Sequence, residues 1–263
     1  MDRAITVARE FKKLLAPWKD EQIPDILGAV DHSATLSKKK FKKEIKVEEA
    51  ELNHLVRLLK ERNLAAIFVL MGRDGSGKTG TTSCMVKSLG NDYKIVGNVP
   101  IGPPSEEELA HSWLWKYIRS ERWPAIGQIR IFDRGWPERV LVEKVMKLTK
   151  PDLINESYVQ MRLFEKLLTE QGIVLVKLWL DITKEEQERR FEERRKSKPW
   201  KVSKSDAIAR AHWDEYTPAA NELFHRTGST FAPWHIVSSE DKRFCRVTVL
   251  QIINAQLRAR LAA

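Results

Sequence analysis

Gly72-Arg73-Asp74-Gly75-Ser76-Gly77-Lys78-Thr79 fits the spacing G-x-x-x-x-G-K-[ST] without a substitution. The residue types suit phosphate. Glycines let backbone N–H groups turn inward on an anion, and a helix starting behind the loop presents the positive end of its dipole. Lys78 brings a compact charge to terminal phosphate oxygens, and Thr79 offers a hydroxyl to Mg²⁺. On this reading Lys78 faces solvent until ligand arrives, and the binding loop comprises Gly72, Arg73, Gly75, Ser76, Gly77, Thr79 and Gly80. Asp74 occupies a position where the spacing allows any residue. A carboxylate beside bound phosphates is costly unless a metal or a proton-donating substrate meets it, so a functional Asp74 is expected over a turn-forming one. Ile129-Arg130-Ile131-Phe132-Asp133 carries an acid to the end of an apolar run, where a parallel sheet holds its ligands. Alone, Asp133 would read as a helix cap; paired with the glycine loop it becomes, with Asp74 and Thr79, a candidate ligand of Mg²⁺. Between Arg189 and Lys204 lie eight basic and two acidic side chains, interrupted at Pro199-Trp200. Arg190, Arg194, Arg195, Lys198, Lys201 and Lys204 there are expected to belong to a lid over about residues 189–206 that closes on the transferred group and excludes water, the alternative being a solvated face.

Elements of a particular kind must position these groups. Leu64 to Met71 is a short aliphatic run abutting the glycine loop, as a strand buried on both faces would be. Comparable runs follow at Tyr93–Val99, Gln128–Phe132, Ile173–Leu180 and Trp234–Val237. Helical spacing appears from Ile45 to about Asn63, from Pro104 to Glu121 behind Ser105 and three glutamates, and from Ile154 to Gln171. Strands alternating with helices predict an α/β fold, a doubly wound parallel sheet with helices on both faces. Residues 1–44 read as a polar, irregular N-terminal extension with a basic knot at Lys38, Lys39, Lys40, Lys42 and Lys43, and residues 45–263 as one domain.

Composition narrows the classes. With 46 Lys and Arg against 36 Asp and Glu, the chain carries a formal charge of +10, and 42% of its residues are hydrophobic. That is too apolar for wholesale disorder, and the charge calls for an anionic partner. The longest apolar run falls far short of the roughly 20 residues a spanning helix needs, and the first residues lack a secretory signal, so a cytoplasmic protein with no membrane partner is expected. Cys84 and Cys245 make neither a disulfide framework nor a zinc site, and the six histidines show no metal spacing. Trp113, Trp115 and Trp123 are read as core residues rather than base-stacking ones. Nucleic acid is the weaker reading of the basic knot, since only Phe41 interrupts it.

Taken together, these residues resemble the polyphosphate kinase 2 family, whose loop reads G-x-D-x-x-G-K and whose second motif reads D/N-R-S-x-Y. The matching segments here are Gly72 to Lys78 and Asp133-Arg134-Gly135-Trp136-Pro137. The likeness continues through Pro104 to Leu109, Gly172 to Leu180, Glu185 to Phe191, Trp200 to Ser203, Trp213 to Thr217, Ala232 to Trp234 and Asp241 to Arg243, covering about residues 35–260. The resemblance implies a P-loop kinase fold and Mg²⁺-dependent phosphoryl transfer between inorganic polyphosphate and a nucleotide. Carried over by motif, Asp74, Lys78, Asp133 and Arg134 are catalytic: Arg134 binds phosphate, and the lid cations grip the polyanion. A homo-oligomer is expected. Gly135 and Pro137 stand where the family has Ser and Tyr, and Thr79 where it often has Gly. Three readings therefore stand side by side: a polyphosphate:nucleotide phosphotransferase, an ATP-dependent nucleoside monophosphate kinase, and a catalytically impaired P-loop binder of nucleotide or polyphosphate.

Overall fold

The computed structural model describes residues 3–10, 22–92, 94–197, 208 and 210–262. Six strands form one sheet in the order β1-β6-β5-β2-β4-β3. They are β1 (Ile5–Val7), β2 (Ala65–Gly72), β3 (Val96–Pro100), β4 (Ile129–Asp133), β5 (Ile173–Asp181) and β6 (Trp234–Ser238). All neighbours run parallel except β1, which pairs antiparallel with β6. The chain is α/β, as the alternation of patterns predicts.

The helices lie on both faces. On one side are α1 (Lys38–Glu61), α2 (Lys78–Ser88) and the C-terminal α9 (Lys242–Ala262), whose Leu52, Leu59, Met85, Leu250 and Ile253 pack on Ala66, Phe68 and Leu70 of β2. On the other, α6 (Pro151–Glu170) and α8 (Trp213–Thr227) bring Tyr158, Met161, Phe164, Leu223 and Phe224 against Ile67, Val69 and Met71. Alternate residues of β2 thus enter opposite cores, which is why that strand reads as an unbroken apolar run. Short helices α3 (Glu106–Leu109), α4 (Trp115–Ile118) and α5 (Val142–Val145) connect these elements, and α7 (Lys184–Ser197) follows β5. Among the described residues, no helix is long and apolar enough to cross a membrane.

Three expectations need correction. Residues 1–44 are not irregular throughout: β1 extends the sheet, and α1 begins at Lys38, where the Ser37 hydroxyl caps the Lys40 N–H at 3.3 Å. A three-residue strand is too short to show periodicity, and lysines are good helix formers that lengthen α1 ahead of its apolar stripe. The helix expected over Pro104–Glu121 is broken in two. Its opening is a capping box between Ser105 and Glu108, but the chain turns after Leu109, which is 69% exposed. Trp113 instead anchors to Gln160 at 2.7 Å, and Tyr117 packs edge-on against Trp136. Finally, β3 begins at Val96 because Asp92 makes a turn, accepting from the Lys94 N–H at 2.9 Å.

Candidate active site

β2 sits at the centre with β5 on one side and β4 on the other, so the loop leaving its C-terminal end occupies a topological switch point of the sheet. That loop joins β2 to α2. A Cβ on Gly72 would lie 2.4 Å from the Leu180 carbonyl oxygen, and Gly77, with φ of +94°, is left-handed where α2 begins. Only glycine meets both demands cheaply.

Lys78 does not face solvent. Its ammonium donates to the carbonyls of Gly72 and Arg73 at 2.7 and 3.0 Å and stands 3.7 Å from Asp74 Oδ1. Burial pushes its pKa down, and Asp74 opposes the shift. Arg134 donates to the same Asp74 oxygen at 2.9 Å. Arg134 follows β4 with φ of +70°, a conformation costly for a residue with a side chain, and is held there by its N–H donating to the Leu70 carbonyl at 3.0 Å. Parallel pairing of Leu70 with Asp133 brings the end of β4 beside the loop, and Thr79 Oγ1 donates to Asp133 Oδ2 at 3.3 Å. A hydroxyl and a carboxylate side by side are the oxygen donors a hard divalent cation takes, with phosphate and water completing its shell. Asp74, Lys78, Thr79, Asp133 and Arg134 therefore do converge.

Two clefts meet at this point. The larger, about 780 Å³, is lined by Lys78, Thr79, Asp133 and Arg194 and by Lys242 and Arg246 from the first turns of α9. The smaller, about 210 Å³, has a different lining: Leu141, Met146, Trp213, Tyr216, Arg73 and Glu138. Burial pushes the Glu138 carboxyl up, while Arg134 and Lys78 pull it down. Asp74, Lys78 and Arg134 line both clefts.

Other expected residues are placed differently. The Arg73 side chain turns away from the larger cleft: Nε donates to Asp181 at 3.2 Å, Nη2 to Thr217 at 2.9 Å, and the guanidinium lies 3.8 Å over the Trp213 ring. The Ser76 hydroxyl is buried. Arg190, expected to grip a polyanion, lines the larger cleft and also braces the loop: it donates to the carbonyls of Gly75 at 2.9 Å and Glu240 at 3.0 Å, and also to Ser239 and Glu186. Four of its five N–H groups are thereby engaged within the protein. Arg194 lines the larger cleft, whereas Arg195 is exposed on α7 and does not. Lys198, Lys201 and Lys204 lie outside the described residues, as does most of the expected lid. Trp113, Trp115 and Trp123 line neither cleft. Neither do Gly135 and Pro137, both buried; a Cβ on Gly135 would approach Val69 Cγ1 to 3.0 Å.

Sequence reasoning missed Lys242, Arg246, Gln187, Asp181 and the Trp213–Tyr216 wall. Gln187 donates to the Asp74 carbonyl at 2.7 Å. Gln187, Lys242 and the Trp213–Tyr216 segment carried a signal, lying in stretches of the resemblance; Asp181 and Arg246 carried none. Asp181 also accepts from Trp179 Nε1 at 3.0 Å and meets His32 Nε2 at 3.3 Å, while His32 Nδ1 contacts Ser238 Oγ at 3.1 Å and Glu240 lies 3.9 Å away. The hydrogen bond to Asp181 raises the His32 pKa, and partial burial opposes it. Stability from this contact is fully present below the free imidazole pKa and is lost as pH rises through the raised one. His32→Gln should therefore lower the thermal midpoint more at pH 6 than at pH 8.5. An equal decrement at both would show that His32 is held neutral.

The comparisons agree with this geometry. The family profile of Polyphosphate kinase 2 (PPK2) matches residues 35–262. A polyphosphate:AMP phosphotransferase of Pseudomonas aeruginosa is 38% identical over 89% of this chain and 47% of its own length. An ADP-polyphosphate phosphotransferase of Rhizobium meliloti is 31% identical over 97% of this chain and 82% of its own. Crystal structures described as polyphosphate kinase 2 superpose from P. aeruginosa (putative; TM-score 0.85, 37% identity, 89% of this chain, 50% of that one) and from Arthrobacter aurescens (TM-score 0.81, 30% identity, 89% and 85%). The chain spans about half the length of the Pseudomonas relatives it matches. With the family match running from before α1 to the end of α9, the chain belongs to the polyphosphate kinase 2 family.

Proposed function

We propose that this chain transfers a phosphoryl group between inorganic polyphosphate and a nucleoside mono- or diphosphate, AMP, ADP or the guanine equivalents. One observation carries the reading: two clefts of opposite character share Asp74, Lys78 and Arg134. The larger has a basic rim suited to a linear polyanion. The smaller has an apolar wall, with Trp213 and Tyr216 to stack on a base. A phosphate from each side would meet at the shared residues. Phosphoryl transfer asks for in-line positioning and neutralisation of spread charge, and Lys78 and Arg134 supply that charge where the two phosphates meet. Asp74 holds both cations in register, and Gln187 and Arg190 brace the loop backbone. Mg²⁺ would be held by Thr79 and Asp133, with Asp74 beside them, and would neutralise phosphate charge. Relatives named for AMP, ADP and GDP support both acceptor classes. Two free thiols, Cys84 and Cys245, suit the cytoplasm, where we place the activity.

The test is to incubate the purified chain with Mg²⁺, polyphosphate and AMP, ADP, GMP or GDP in turn, with ATP as donor in a parallel arm, and to separate the products. Phosphorylated nucleotide from polyphosphate is expected. Product from the ATP arm alone would make the chain an ATP-dependent monophosphate kinase, and no product in either would make it a binder.

A further inference from the structure

The basic knot at the start of α1 has no role in the site described so far. Lys38, Lys39, Lys40, Lys42, Lys43 and Lys46 are all exposed, and the one acid among them, Glu44, is bound by Arg3 at 3.1 Å. Among the described residues none of the six lysines has an ion-pair partner, and the first turn of α1 contains no acid. Cations at a helix N-terminus oppose the macrodipole and one another, so local stability does not explain them.

Topology places them. α1 enters β2 through a tight turn, with the Leu64 N–H donating to the Leu59 carbonyl at 2.8 Å, so Lys38 lies at the opposite, C-terminal edge of the sheet, where the phosphate loop is. The contacts of α1 then set its register. Asn53 Nδ2 donates to the Ser88 carbonyl at 2.6 Å, and Ser88 Oγ donates to Glu49 at 3.1 Å. Counting back equally along the two parallel helices from Asn53 and Ser88 brings Lys42 level with Gly77. Lys46 and Lys39 stand one and two heptads before Asn53, and Lys42 one heptad before Glu49, so these three share the face turned toward α2. On the other flank, Asn254 Nδ2 donates to the Glu48 carbonyl at 3.0 Å and Arg258 to Glu51 at 2.7 Å. The same register sets Lys39 and Lys40 beside Arg246, which with Lys242 lines the larger cleft. Arg246 in turn lies over the first turn of α2, its Nη2 3.0 Å from where a Cβ of Gly80 would stand.

We infer that Lys39, Lys42 and Lys46 continue the cationic lining of the larger cleft onto the surface of α1, forming a track for the part of a long polyphosphate chain that extends beyond the cleft. This rests on the reading that the larger cleft holds polyphosphate. A chain with one or more negative charges on every phosphate can satisfy lysines spaced along a helix, whereas a nucleotide or a short oligophosphate ends inside the cleft. The track therefore selects for chain length and leaves the chemistry unchanged.

The triple variant Lys39→Ala, Lys42→Ala, Lys46→Ala tests this, with Lys60→Ala, Arg62→Ala, Lys94→Ala at the opposite edge of the sheet as a charge-matched control. KM and directly measured binding are compared for polyphosphate of about a hundred residues and for tripolyphosphate across a salt series. For the long chain we expect the triple variant to raise Kd and KM about tenfold and to make the log–log salt slope shallower by about two. Values for tripolyphosphate and nucleotide, and kcat, should stay within about twofold of the parent, as should every value for the control. Unchanged binding of the long chain would overturn the track, as would an equal loss for tripolyphosphate or an equal loss in the control. A loss confined to single-stranded DNA would instead make the patch a nucleic-acid surface. Because binding is read without turnover, a parent that binds long polyphosphate but transfers nothing would sink the proposed activity and leave the track standing.

Discussion

Lys78→Ala should lower the rate of phosphoryl transfer by about a hundredfold or more, the equivalent of roughly 2.7 kcal/mol of transition-state stabilisation. A hydrogen bond to a charged group contributes about 1.5–3 kcal/mol, and a transferring phosphoryl group strengthens such bonds as its charge spreads. The structure adds a second cost. Lys78 already bridges the carbonyls of Gly72 and Arg73 and flanks Asp74, so its removal also loosens the turn and leaves Arg134 as the remaining observed cation on that carboxylate. The effect should fall on kcat more than on KM for the nucleotide, because the apolar wall of the smaller cleft is untouched. Steady-state kinetics with both substrates, beside a thermal melt to confirm the fold, make the measurement. A rate within threefold of the parent would remove Lys78 from the chemistry.

Lys177→Met should destabilise the fold by about 3–5 kcal/mol. Lys177 on β5 and Glu165 on α6 form an ion pair at 2.6 Å in which both side chains are 0% exposed. Lys177 also donates to the Thr227 carbonyl at 2.8 Å and lies 4.9 Å from the centroid of Trp234, while Glu165 accepts from Trp136 Nε1 at 3.0 Å. Burial pushes Glu165 up and Lys177 down, and their mutual attraction opposes both shifts. Methionine removes one partner and leaves a carboxylate in the core that must be protonated or go unpaired. Adding Glu165→Gln keeps an acceptor for Trp136 and removes the orphaned charge, so the double variant should recover more than half of the loss. Urea denaturation of the parent, the single and the double variants checks this. A double variant no more stable than Lys177→Met would show that the loss comes from packing rather than from the unpaired charge.

Gly135 and Pro137 sit beside the same core. Trp136 between them is fully buried, packs edge-on against Tyr117, Phe132 and Phe164, and hydrogen-bonds Glu165. The segment after Arg134 anchors the strained turn that aims the Arg134 side chain at Asp74, and it presents neither Gly135 nor Pro137 to a cleft.

The sequence by itself determined the loop, its neighbouring strands and the acid at the end of β4, because each is a local pattern. Glycines at fixed spacing, an apolar run buried on both faces and a strand-end aspartate need only adjacent residues to be legible. It also determined the helix from Ile154, whose single apolar stripe survives in α6, but not the one from Pro104, where capping residues started a helix that contacts by Trp113 and Tyr117 then ended. Tertiary structure alone decided which cations line the larger cleft and how each is held. Arg190 and Arg194, one turn apart on α7, both line the larger cleft, yet Arg190 is also fastened to loop carbonyls, and only the packing of α7 against the loop separates the two roles. Lys242 and Arg246 reach the site from the C-terminal helix, and His32 reaches Asp181 from the N-terminal segment. Neither approach leaves a trace at short range, because strand order and crossovers bring them together across well over a hundred residues of chain.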